Sequence, residues 1–80
     1  MKSRMIMDEK KKNELMYDAT KTHKRVKINI EDGSVIFGYA EMYIRRDDDE
    51  NGRAGIGFYN EGGSRPYITE DEIIGIEYVS

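Results

Sequence analysis

The sequence predicts a mainly β fold: an N-terminal α-helix followed by a five-stranded antiparallel small barrel. Three observations lead there. A Gly- and Pro-free stretch rich in helix formers, residues 8–20, gives way at Val26 to strict two-residue alternation. Short runs of β-type residues follow, separated by turn signals such as Asp32-Gly33, Asn51-Gly52 and Gly62-Gly63. The second run is apolar on both faces and has Gly38 at its middle, as expected of one strand bent to serve two walls.

In the helix, Asp8 is the expected N-cap, with Glu9 in the first turn. Leu15, Met16, Ala19 and Thr20 form a narrow apolar stripe, so Lys10, Lys11 and Lys12 are expected to point to water. A helix with so thin a stripe is unstable alone and must lean on the barrel. His23 falls at the helix end, where a cation complements the C-terminal dipole.

Strand one is read from Val26, Ile28 and Ile30, which alternate with Lys27, Asn29 and Glu31. Asp32-Gly33 is expected as a two-residue hairpin turn. Strand two runs from Ser34 to Arg45, with Ile36, Gly38, Ala40, Met42 and Ile44 on one face. Val35, Phe37, Tyr39, Glu41, Tyr43 and Arg45 take the other. After the acidic turn 47–52, strand three covers Ala54–Tyr59; its Gly55 and Gly57 share a face on which a neighbouring aromatic ring can lie. Strand four is Arg65–Thr69, starting beside Pro66. Thr69 and Glu72 have capping-box spacing for a single turn, and strand five begins at Ile74.

One domain over residues 1–80 follows, with 1–7 flexible or irregular, a helix at 8–20 and the barrel at 24–80. A core this small reaches stability through tight packing or self-association. Residues 1–25 carry eight Lys/Arg against four acids, and the rest carries five against twelve, for a net charge of −3. An acidic barrel body is a poor platform for nucleic acid, whose affinity rests on neutralised phosphates. No cysteine is present, which suits a reducing compartment. Met1–Met7 lacks the apolar run of a signal peptide, and no stretch is long enough to span a bilayer. A cytoplasmic protein without membrane partners is expected.

The order of helix and five strands resembles the Sm-like fold, one of the SH3-like small barrels. Val26-Lys27-Ile28-Asn29-Ile30-Glu31-Asp32-Gly33, with Gly38 beyond, is similar to the opening of its first motif, and Asp71–Val79 to its closing strand. RNA-binding Sm proteins carry an Asp and an Asn near the end of strand two and a basic residue before the Gly of their last motif. Here those places read Glu41-Met42-Tyr43 and Ile74, which argues against uracil recognition of that kind. A narrower resemblance is to the YolD-like family of small bacterial proteins, through Leu15-Met16, Ala19, Val26-Lys27-Ile28, Asp32-Gly33, Gly38 and Asp71-Glu72-Ile73. That resemblance implies a bacterial or mobile-element protein loosely linked to DNA-damage responses, with no established activity. The Pro and His of the family's earlier motif are absent around Met5–Glu9.

Catalytic and cofactor chemistry find little support. Asp47, Asp49, Asn51 and Gly52 match four early positions of a calcium-binding helix-loop-helix, but its obligatory twelfth carboxylate would be Phe58. A solvated acidic turn is the expected reading. Gly52-x-x-Gly55-x-Gly57 lacks the Lys and helix of a phosphate loop, and His23 has no partner at catalytic spacing. A non-enzymatic protein with no cofactor and no metal is expected, binding a protein partner or its own copies. Tyr39, Tyr43, Arg45, Arg46, Arg53 and Arg65 form the candidate surface for a partner. With aromatic rings between arginines, the same residues supply the alternative, single-stranded nucleic acid.

Overall fold

The computed structural model describes residues 8–79. The expectation that residues 1–7 are flexible falls outside them. Helix α1, Glu9–Thr22, leads into five strands: β1 Val26–Ile30, β2 Val35–Ile44, β3 Gly55–Asn60, β4 Tyr67–Thr69 and β5 Ile73–Tyr78. They form one antiparallel sheet in the order β4-β3-β2-β1-β5. No described helix is long and apolar enough to cross a membrane.

Asp8 caps α1, its carboxylate accepting the Lys11 amide at 3.2 Å. The helix runs two residues beyond Thr20 and stops at His23, whose φ of 57° turns the chain left-handed while its amide bonds Ala19 O. Met16 and Ala19 are fully buried against Val26, Ile28, Phe58 and Ile76, so the core lies between α1 and the sheet. Lys12 is buried as well, at 3% exposure, and not in water. It stands one turn before Met16 on the core stripe, where its ammonium finds acceptors.

The β1–β2 connection is a three-residue loop, Glu31-Asp32-Gly33, not a two-residue turn. Ile30 N donates to Ser34 O, Gly33 N donates to Ile30 O, and Gly33 takes a φ of 94°. Asp32 favours this loop by accepting from both the amide and the hydroxyl of Ser34. The β3–β4 loop repeats it: Asn60 N bonds Ser64 O, and Gly63 has φ 104°.

Strand β2 changes partner midway. Val35 to Gly38 pair with β1, and Gly38 to Ile44 pair with β3. A Cβ on Gly38 would lie 1.9 Å from the carbonyl oxygen of Tyr59, so only glycine admits β3 at this point. The handover lets one strand serve both walls. The ladder ends at β4 and β5, which are joined through the turn at 70–72 but not paired with each other. The barrel is therefore open along that seam.

A bulge at Glu41 adds one residue to β2 opposite Phe58 and Gly57. Past it the two faces exchange. Met42, expected on the same face as the buried Ala40, is 54% exposed, and Tyr43, expected beside Tyr39, packs against the core. On β3, Gly55 does receive an aromatic ring: the Tyr67 hydroxyl lies 2.5 Å from where its Cβ would be.

Replacing Gly38 with Ala is expected to cost more than about 3 kcal/mol, because a backbone carbonyl cannot yield as a side chain can. Urea denaturation followed by circular dichroism checks it; a loss under about 1 kcal/mol would place β3 farther from β2 than described.

Candidate functional site

The end of β2 carries Tyr43 under α1 and releases Arg45 and Arg46 beside the helix N-terminus. Between them lies an open groove of about 750 Å³, lined on the helix side by Glu9, Lys10, Asn13, Glu14 and Tyr17 and on the other by Tyr43, Arg45 and Arg46. Its aromatic wall is an edge-to-face pair, the Tyr17 and Tyr43 rings 5.4 Å apart at 74°. Lys21 places its ammonium 5.3 Å from the Tyr17 ring centre.

A buried polar cluster supports this groove. The Lys12 ammonium donates to the carbonyls of Glu70 at 2.5 Å and Ile73 at 2.7 Å, and to the Glu9 carboxylate at 2.7 Å. Glu70, 6% exposed, accepts two bonds from the Arg46 guanidinium at 2.8 and 2.6 Å. Its carboxylate also accepts the Ala54 amide and the Asn13 side chain. Asn13 in turn accepts the Tyr43 hydroxyl. With its acceptor sites filled, Glu70 fastens α1, the end of β2 and the start of β3 at one point.

The Arg46 guanidinium, helped by Ala54 N–H and Asn13, holds the Glu70 carboxyl down to about 2 against the opposing effect of burial. Tyr43 is pushed up by burial first and by the Glu70 charge second. Chemically the cluster is a brace; the open face of the groove presents aromatic rings and cations.

The six residues expected as one surface do not share a face. Tyr43, Arg45 and Arg46 meet in the groove. Tyr39 lies on the outer face of the sheet opposite Tyr59, whose ring carries the Arg65 guanidinium at 5.2 Å. Arg53 stands apart, 3.6 Å from Asp71. Each of the four arginines meets a carboxylate: Arg45 Asp48, Arg46 Glu70, Arg53 Asp71 and Arg65 Glu41. The Glu41 bulge, invisible to a strict alternation count, separates Tyr39 from Tyr43. Lys12, Asn13, Tyr17 and Glu70 were not expected at the site. Their one sequence signal was Lys12 standing four residues before Met16, with Glu9 three before it.

In the acidic turn, Arg46–Asp48 form a single 3-10 turn, and Asp49 accepts the amides of Asn51 and Arg53. Among the described residues no three carboxylates or histidines converge as a metal site would need.

Neither protein-family models nor curated protein sequences match the chain. Among solved structures it is similar to one from Xanthomonas campestris, XC5848, described as adopting a novel variant of the Sm-like motif. The identity is 18%, the TM-score 0.52, and the match covers 95% of this chain and 94% of that one. The fold is Sm-like. A second similar structure is YaeO bound to magnesium from Vibrio cholerae O395, at 21% identity and TM-score 0.65, covering 82% and 80% of the two chains. At these identities the likeness concerns the fold alone. In Sm-like terms, the groove lies between the N-terminal helix and the end of the second strand, and the open seam between strands four and five.

The folded-state carboxyl of Glu70 lies below its ordinary value of 4.5, at about 2, so its contribution is fully present above pH 4.5 and is lost as pH falls toward 2. The shift is worth on the order of 2–3 kcal/mol after allowance for screening at the exposed Arg46. Urea midpoints measured across that window should fall steeply for the natural chain and more gently for Glu70→Gln. Parallel curves would remove Glu70 from the brace.

Proposed function

We propose that this chain is a non-catalytic interaction module that associates with its own copies or with a partner protein, using the sheet edges at β4 and β5 together with the helix. The carrying observation is the open seam, where two strands adjacent in sequence end the ladder on both sides. Because Phe58 N bonds Pro66 O and Glu70 N bonds Ala54 O, the alternation of β4 turns the Tyr67 amide outward. On β5, Val79 N bonds Arg25 O, which turns the amides of Ile76 and Tyr78 outward in the same way. Unpaired backbone groups of this kind are a template for another strand. Tyr67 and Met42, 47% and 54% exposed, add apolar surface on the outer face near the β4 edge.

The non-catalytic reading is supported by Glu70, the carboxyl with the largest shift, whose acceptor sites are occupied by structural partners. A cysteine-free composition supports a cytoplasmic setting. The kinship with the YolD-like family, and with it a bacterial, mobile-element or DNA-damage context, rests on the short motifs from Leu15 to Ile73 quoted above.

A second reading, single-stranded nucleic acid, is favoured by the outer sheet face. Phe37 there carries the Arg25 guanidinium 4.9 Å from its ring centre, and Tyr59 carries Arg65 at 5.2 Å. Stacked rings and guanidinium planes suit bases. The acids beside both arginines, Glu61 and Glu41, oppose it.

Light scattering after gel filtration, with and without a labelled oligothymidine, separates the two. The interaction reading predicts a concentration-dependent mass above that of one chain, unchanged by the oligonucleotide. Tyr67→Pro should reduce that mass, since it removes an outward amide without breaking a ladder bond. A strict monomer with no protein partner contradicts the first reading, and absence of oligonucleotide binding at low salt ends the second.

A further inference from the structure

We infer that the groove between α1 and β2 is a docking site for an acidic peptide segment of a partner protein. An apolar side chain of that segment lies against Tyr17 and Tyr43, and its carboxylates meet Lys10, Lys21 and Arg45. This deepens the interaction-module reading and rests on it. The groove, about 750 Å³ and open to one side, has room for a few side chains. Its aromatic wall stays open: Tyr17 is 47% exposed although it is edge-on to Tyr43.

Charge selects the partner. Two of the groove's charges are already neutralised, Glu9 by Lys12 and Arg46 by Glu70. Arg45 has only a long, exposed contact with Asp48 at 3.6 Å, which competes weakly with a better carboxylate. Lys10 and Arg45 on the groove wall, with Lys21 at its margin over the Tyr17 ring, therefore stand against Glu14 and Asp48, a small local positive excess on a chain whose net charge is −3. A short acidic segment fits that excess, with one of its carboxylates taking the place of Asp48 at Arg45. A nucleic-acid strand needs a longer run of cations, which the acidic body does not offer. Arg46, held through Nε and Nη2 by Glu70, fixes the groove's wall before any ligand arrives.

The test is an amide NMR titration of the whole chain with a capped five-residue peptide, a central Phe flanked by two acids on each side. Shifts are expected at Tyr17, Tyr43 and Arg45, with affinity falling as salt rises from about 25 to 250 mM. The Lys10→Glu, Arg45→Glu double variant should bind about tenfold more weakly or worse, and Tyr17→Ala should also weaken binding while the remaining spectrum is preserved. The proposal is overturned by an absence of shifts at low salt, by equal binding of a peptide with lysines in place of the acids, or by undiminished binding in the double variant. Tighter binding of an oligothymidine at the same residues overturns it too. These variants leave β4 and β5 intact. Loss of the groove with association preserved therefore removes this inference alone, and a monomer that still binds the peptide removes only the edge-mediated association.

Discussion

Lys12 reaches from the buried side of α1 to the carbonyls of Glu70 and Ile73, and much of the architecture depends on that reach. A buried ammonium is costly unless every donor finds an acceptor. Here one carbonyl comes from the turn that joins β4 to β5, the two ends of the sheet, and the other from the first residue of β5. The side chain of Glu70 completes the arrangement by taking Arg46, Asn13 and the Ala54 amide. The helix is thus bound to the turn beside the open seam, and its apolar residues Met16 and Ala19 close the core beneath it.

The groove is a consequence of two local decisions in β2. Gly38 lets the strand pass from β1 to β3, which carries its second half under the helix. The bulge at Glu41 then reverses the faces, bringing Tyr43 inward to meet Tyr17. Without the bulge Tyr43 would lie with Tyr39 on the outer face, and α1 would have no aromatic partner at that point. The wall of the groove and the passage of the chain from one wall of the sheet to the other are therefore set by the same ten-residue strand.

The strands were legible because Val26, Ile28 and Ile30, and later Ile56 and Phe58, keep a clean alternation against one core. The Asp8 cap and the meaning of Gly38 were legible for equally local reasons, a short acceptor before a helix and a glycine inside an apolar strand. The site was less so. A bulge changes register without changing composition, so Tyr39 and Tyr43 looked alike two positions either side of Glu41. Lys12 was assigned to water because a charge outweighs helical position in any pattern count, yet its place one turn before Met16 put it on the buried stripe. Glu70 stood in a run of three acids, and only tertiary structure singles out the one that turns inward.

Lys12 and Glu70 act as one unit in holding the helix to the turn. A double-mutant cycle with Lys12→Met and Glu70→Gln, read as unfolding free energy in urea, tests this most directly. The two substitutions should interact by about 1 kcal/mol or more, since either one loosens the turn the other grips. Additivity within about 0.3–0.5 kcal/mol would contradict it.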